Sequence, residues 1–76
     1  MQDTITPLTD KQTLIQTGLY LRGKLIWIVS GIVHDTGEVD LRITDATGYP
    51  ASWAMSDQNL ETYRSMIKRI HSESIQ

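Results

Sequence analysis

The sequence contains no cysteine and only two histidines, and its longest unbroken apolar run is Leu25 to Val29. No disulfide can therefore stabilise the chain, and two histidines are poor material for a metal site. The apolar run is far too short to span a bilayer. The opening residues, MQDTITPLTD, lack the basic and apolar regions of a secretory signal. We expect a cytoplasmic protein without a membrane partner.

Large charge of either sign is also lacking, because the formal net charge is −2 and the pI is near 5.5. This balance argues against a general basic coat for nucleic acid, so any such contact must come from a local patch. A chain of 76 residues forms one small domain, which buries only about 60% of the surface that its unfolded chain exposes. Oligomerisation is the remaining means of stabilisation, and we expect a homodimer.

The apolar spacing predicts a β-rich domain with one C-terminal helix. Residues 1–13 are polar and carry Pro7, so we expect an N-terminal arm or irregular lead-in. Residues 14–76 are expected to form a single domain. Alternation of apolar and polar residues predicts four strands, over residues 14–22, 24–34, 38–45 and 49–56. The expected fold class is α+β: a strongly twisted four-stranded antiparallel sheet in meander order, like a partial barrel, with the helix packed over it.

The second predicted strand is apolar on both faces and should lie at the centre of the fold. Gly23 before it predicts a tight hairpin turn, and Gly31 within it predicts a bend or bulge. One helix can cover only one face of a sheet, so the surplus apolar face should pair with a second subunit. The residues expected to form the core or this dimer surface are Leu25, Ile26, Trp27, Ile28 and Val29.

The helix is predicted over residues 57–72. Ser56 can cap it, and Met55 and Leu60 occupy the two positions of a hydrophobic staple. The spacing of the apolar residues predicts a buried stripe of Leu60, Tyr63, Ile67 and Ile70.

The segment IVHDTGEV, residues 32–39, resembles the active-site loop of the retroviral aspartic proteases. That resemblance implies a dimer in which two copies of Asp35 share a proton. His34 and Glu38 depart from the family pattern, however, and Asp45 to Gly48 repeats the same Asp-to-Gly device. Both segments are typical of turns in which glycine takes a positive φ. We therefore expect no enzyme, with a protease-like role for Asp35 as the minor alternative.

Other chemistry has little support in the sequence. His34 and His71 lie far apart, and we interpret them as a solvated loop residue and a helix-end residue. The chain has no nucleophile elbow and no phosphate-cradling glycine loop. We expect no metal and no cofactor, and infer no small-molecule substrate.

Aromatic and basic residues form the remaining constellation. Stacking on aromatic rings beside a short positive groove holds single-stranded nucleic acid without large net charge. The expected partner is therefore single-stranded nucleic acid or a nucleoprotein complex. The alternative is that these aromatics are core or interface residues of a dimeric protein-interaction or inhibitor module without nucleic-acid affinity. The candidate binding residues are Tyr20, Arg22, Lys24, Arg42 and Trp53, with Tyr49 nearby.

Residues 29–56 resemble the first three strands of an OB-fold, with a glycine in a long strand and a D-x-T-G turn at Asp45 to Gly48. In nucleic-acid-binding OB domains the corresponding turn is structural. The resemblance implies a curled sheet and a nucleic-acid ligand. Nothing after the helix could supply the last two OB strands, for which residues 14–22 could substitute in part.

Overall fold

A computed structural model describes residues 3–74 as a single antiparallel sheet with one long helix on one face. The strands follow meander order, β1-β2-β3-β4, and the helix packs on β3, β4 and, less closely, β2. This confirms the predicted α+β class. The elements are β1 (Thr4–Thr9), β2 (Gln12–Leu21), β3 (Lys24–His34), β4 (Val39–Asp45), a short 3₁₀ turn (Ser52–Ala54) and α1 (Asp57–Ser74).

The predicted irregular lead-in over residues 1–13 is wrong where the structure describes it, because Thr4–Thr9 forms edge strand β1. Ile5 lies opposite Ile15, and the Thr17 hydroxyl donates to the Asp3 carboxylate at 2.6 Å. Every residue of β1 is exposed, so the strand lacks the apolar alternation that would reveal it. Pro7 is compatible with this position because an edge strand can leave one N–H side unpaired. Residues 1 and 2 lie outside the described part of the chain.

The predicted strand over residues 49–56 is also wrong. This segment makes a single bridge to β4, between Thr44 and Pro50, and then turns into the 3₁₀ segment. The Ala51 N–H donates to the Ile43 carbonyl at 2.8 Å, which satisfies part of the outer edge of β4. On the other side of the bridge the Asp45 N–H donates to the Tyr49 carbonyl at 2.9 Å. The pairing does not extend into a ladder, because the 3₁₀ segment begins at Ser52. The fourth strand of the sheet comes instead from the N-terminal end.

Three glycine turns form as predicted. Arg22 and Gly23 take φ values of 54° and 79° in the two-residue β2–β3 hairpin, as a type I′ turn requires. Gly37 has φ 90°, and its N–H donates to the His34 carbonyl at 2.9 Å. Gly48 repeats this arrangement with φ 98°. The two Asp-to-Gly segments are therefore turns.

The core lies between the helix and the strands. Its fully buried side chains are Ile15, Val29, Ile43 and Ile67. Gly31 does not form the predicted bulge, since it keeps regular register opposite Ile15, and the register of β3 shifts near its start instead. A Cβ on Gly31 would lie 2.7 Å from Cγ2 of Ile67. Gly31 therefore serves the close approach of the helix.

The helix begins as predicted and extends two residues beyond the predicted end, to Ser74. The Ser56 hydroxyl accepts a hydrogen bond from the Asn59 N–H at 3.1 Å, which is the expected N-cap. Met55 and Leu60, the two positions of the predicted staple, both pack against the core. Among residues 3–74, no helix is long and apolar enough to cross a membrane.

Candidate ligand-binding surface

The β2–β3 hairpin presents one aromatic and two basic side chains at its tip. Tyr20 is 49% exposed, and Arg22, Lys24 and the intervening glycine are also exposed. The type I′ turn fixes the backbone that carries them. Two predicted basic residues and one predicted aromatic residue therefore share one end of the sheet.

Two further aromatic side chains project from the segment after β4. Trp53 is 86% exposed and Tyr49 is 72% exposed. The Trp53 indole N–H donates to the Pro50 carbonyl at 3.3 Å, which limits the orientations of the ring. An exposed tryptophan restrained in this way offers a flat apolar surface to solvent.

The Asp45 carboxylate holds the loop that carries Tyr49. It accepts hydrogen bonds from the Thr47 hydroxyl at 2.6 Å, the Thr47 N–H at 2.9 Å and the Tyr49 N–H at 3.0 Å. These bonds, led by the one from the Thr47 hydroxyl, hold the pKa of Asp45 below its ordinary value. The carboxylate is thus a structural anion, as the Asp-to-Gly turn predicted for Asp45.

The sheet register brings these two groups to the same end of the molecule. Leu21 pairs with Lys24 at the hairpin, and Trp27 pairs with Asp45 close by. Three strand spacings, roughly 15 Å, separate β2 from the segment outside β4. We call the group of Tyr20, Arg22, Lys24, Tyr49 and Trp53 the aromatic end.

Arg42 does not belong to the aromatic end. It lies opposite Ser30 in the middle of the sheet, on the face that the helix does not cover. Ser30 is six residues along β3 from Lys24, which corresponds to about 20 Å. The predicted binding residues therefore divide between the end of the sheet and this uncovered face, which we call the open face.

The residues predicted for core or dimer surface also divide. Val29 is fully buried beneath the helix, and Trp27 packs against the core. Ile28 lies opposite Thr44 and lines the open face. Leu25 and Ile26 are half-buried next to the register shift. Val29 and Trp27 therefore belong to the core, and the segment 25–29 does not present one continuous surface.

The open face carries a depression of about 500 Å³. Its aliphatic lining comes from four half-buried residues, Leu14, Ile28, Ile32 and Leu41. A polar row crosses the strands between them, in which Gln16 lies opposite Ser30 and Ser30 opposite Arg42. This row went unnoticed in the sequence, although Gln16 and Ser30 interrupt otherwise apolar alternation.

His34 is not the solvated loop residue that we expected. It is the last residue of β3, and its Nε2 lies 2.8 Å from the Asp40 carboxylate across the turn. Its Nδ1 lies 3.4 Å from the Gln12 side-chain nitrogen. With a proton on Nε2 the ring donates to Asp40, and Nδ1 can accept from the Gln12 amide.

Asp35 lies exposed in the β3–β4 turn, where its N–H donates to the Lys11 carbonyl at 2.9 Å. His71 is half-buried in the last part of the helix, as its predicted helix-end position requires. Within residues 3–74, no three His, Cys, Asp or Glu side chains form a group that could hold a metal ion.

Comparisons with known proteins give no match: no protein-family model, no curated protein and no solved structure matches this chain.

Proposed function

We propose that this protein is a small noncatalytic binding module that holds single-stranded nucleic acid, free or within a nucleoprotein complex, at its aromatic end. The observation that carries this proposal is Trp53, which is 86% exposed and yet restrained by its hydrogen bond to Pro50. A large exposed aromatic surface is unfavourable in water and commonly marks a contact site. A base stacked on such a ring contributes roughly 1–3 kcal/mol.

The charges at the aromatic end support the same ligand. Arg22 and Lys24 are exposed beside Tyr20, although the whole chain has a net charge of −2. A local positive patch beside aromatic rings suits a backbone of phosphates whose bases stack on the rings. The resemblance of residues 29–56 to nucleic-acid-binding OB domains points to this ligand class and is part of the proposal, as is a cytoplasmic location.

A fluorescence-anisotropy titration of a short, labelled, mixed-sequence single-stranded DNA at low salt tests this function. We expect binding, and we expect Trp53→Ala to weaken it roughly 5- to 150-fold, which corresponds to the loss of one stacked base. Leu8→Ala is the matched control, because Leu8 is an exposed apolar residue next to the β1–β2 turn, at the other end of the sheet. No binding below about 100 μM would reject the proposal and favour a protein partner.

A dimeric protein-interaction or inhibitor module without nucleic-acid affinity is the second candidate. The observation that favours it is the half-buried aliphatic group of Leu14, Ile28 and Ile32 on the open face, which a second copy could cover. Light scattering tests the dimer, since one chain has a mass of 8.6 kDa. If the mass at micromolar concentration is that of one chain, the homodimer is rejected.

The proposal gives the chain no catalytic step. The minor protease alternative for Asp35 makes a separate prediction, because a dimer that shares a proton between two aspartates would lose all activity in Asp35→Asn. If the purified wild-type protein has no peptidase activity, the protease alternative is rejected. It is also rejected if Asp35→Asn retains the activity.

A further inference from the structure

The open face places one cation, Arg42, in a depression with aliphatic sides that is also lined by the hydroxyl residues Ser30 and Thr44 and by the acid Asp40. Gln16, Ser30 and Arg42 face one another across β2, β3 and β4. On either side of this row lie Ile28 and Ile32, two residues before and after Ser30. Aliphatic neighbours displace water and so strengthen the hydrogen bonds that such a row can make.

The hydroxyl hydrogen of Ser30 is available to a ligand. The Gln16 side-chain nitrogen donates to Ser30 Oγ at 3.3 Å, so that oxygen already acts as an acceptor. A serine hydroxyl carries one hydrogen of its own to donate. The Gln16 contact therefore does not use the Ser30 O–H, which can donate to a ligand.

The Arg42 guanidinium is available to a ligand because the nearest acid on its strand is engaged elsewhere. Asp40 is the nearest acid along β4 on the same face, and His34 Nε2 holds its carboxylate at 2.8 Å. In the part of the chain between residues 3 and 74, Arg42 forms no ion pair. The histidine thus engages the acid that would otherwise be the closest partner of the guanidinium.

We propose that this row binds a backbone phosphate of the same single-stranded nucleic acid whose bases stack at the aromatic end, with Arg42 and Ser30 as donors. The inference rests on the proposed function. A guanidinium and a hydroxyl around one anionic oxygen group are the donors that phosphate takes in proteins. His34 is a positioning residue, which acts through Asp40.

The path of the strand follows from the sheet geometry. Alternation along β2 places Tyr20 on the open face with Gln16, four residues and about 13 Å away. Gly18 lies between them without a side chain. The nucleic acid therefore runs from Tyr20, at the aromatic end, across the open face to Arg42.

The experiment measures the affinity for a thymidine oligonucleotide at several salt concentrations. Each phosphate contact contributes about 0.7 to the slope of log K against log salt for single strands. We expect Arg42→Ala to weaken binding about tenfold at low salt and to reduce the slope by about 0.7, with a smaller loss for Ser30→Ala. Arg69→Ala, which removes an exposed arginine of the helix, is the matched control and should change neither quantity.

A second pair of variants tests the role of His34. In His34→Ala the Asp40 carboxylate is free to approach Arg42, and we expect binding two- to fivefold weaker. Adding Asp40→Asn should restore the affinity, because no acid then competes with the phosphate. A merely structural role for His34 would leave the double variant weak, and that result would overturn this part of the inference.

The outcomes separate this inference from the proposed function. If Trp53→Ala weakens binding but Arg42→Ala keeps the wild-type affinity and slope, the phosphate site falls and the proposed function stands. If the wild-type protein does not bind, both fall. If light scattering shows a dimer that Arg42→Ala disrupts, a second copy occupies the open face and the phosphate site is rejected. Thermal melts of every variant establish that it is folded.

Discussion

Replacing Gly31 with alanine should lower the stability of the domain, because the helix lies directly over this residue. The new Cβ would lie 2.7 Å from Cγ2 and 3.2 Å from Cγ1 of Ile67, and 3.1 Å from Cγ1 of Val39. Ile67 is fully buried, and its β-branched side chain has one preferred χ1 rotamer in a helix. Neither the methyl groups nor the helix can therefore retreat without loosening the core.

The expected magnitude combines two opposing effects. Overpacking a well-packed core costs about 1–3 kcal/mol. Replacing glycine by alanine restricts the unfolded chain, which stabilises the protein by about 0.4–1 kcal/mol. The midpoints of the two ranges leave a net loss of about 1.3 kcal/mol, which for a domain of this size should lower Tm by roughly 5 to 10 °C.

Thermal unfolding followed by circular dichroism measures the loss of stability. A double-mutant cycle with Ile67 tests whether the loss comes from the contact between residues 31 and 67. Ile67→Ala alone should cost about 2–5 kcal/mol, and about 1 kcal/mol less when Gly31→Ala is also present. Ser30→Ala, the neighbouring position on the opposite face, is the control and should change Tm little. An unchanged Tm in Gly31→Ala, or additive losses in the cycle, would refute the close packing of helix and strand.

Three further predictions follow from the turns and the cap. Ser56→Ala should lower the free energy of unfolding in urea by about 1 kcal/mol, because the Asn59 N–H loses its acceptor; an unchanged midpoint would contradict the cap. The pKa of Asp45 is lower in the folded chain than in the unfolded chain, so the ionised carboxylate stabilises the folded state. This contribution is complete above about pH 4 and is lost as the pH falls through the folded pKa. The Tm of Asp45→Asn should therefore fall less steeply than that of the wild type as the pH is lowered. Parallel plots of Tm against pH for the two proteins would contradict this. Arg22→Asn should stabilise the hairpin by about 0.5–1 kcal/mol, because asparagine tolerates the positive φ better, and should also weaken nucleic-acid binding; a loss of stability would contradict the turn assignment.

The elements that the sequence predicted are those with local signals. Gly23, Gly37 and Gly48 stand where a positive φ is required, and Ser56 stands where a helix needs an acceptor. These requirements involve only neighbouring residues, so a single sequence reveals them. The two wrongly predicted strand assignments involve edge positions. Strand β1 has no buried face to impose alternation, and residues 49–56 have strand-like alternation but form only one β-bridge, between Thr44 and Pro50.

The candidate site was only partly predictable for a related reason. The sequence indicated Tyr20 and Trp53 as aromatic candidates, but their exposure depends on which face the helix covers. Arg42 was also identified, and the pairing that places it beside Ser30 and Gln16 depends on strand register. The contact of His34 with Asp40 spans a turn whose closing geometry decides the distance. Such long-range relations are absent from local patterns.

A two-dimensional ¹H–¹⁵N NMR titration of the protein with single-stranded DNA shows directly whether the aromatic end holds nucleic acid. Resonances of residues 20–24 and 45–53, with the Trp53 indole N–H, should shift together in proportion to bound ligand. Amides of Ser30 and Arg42 should follow them, and those of the solvent-facing side of α1 should not move. Shifts confined to α1, or no shifts at millimolar DNA, would contradict the proposed function.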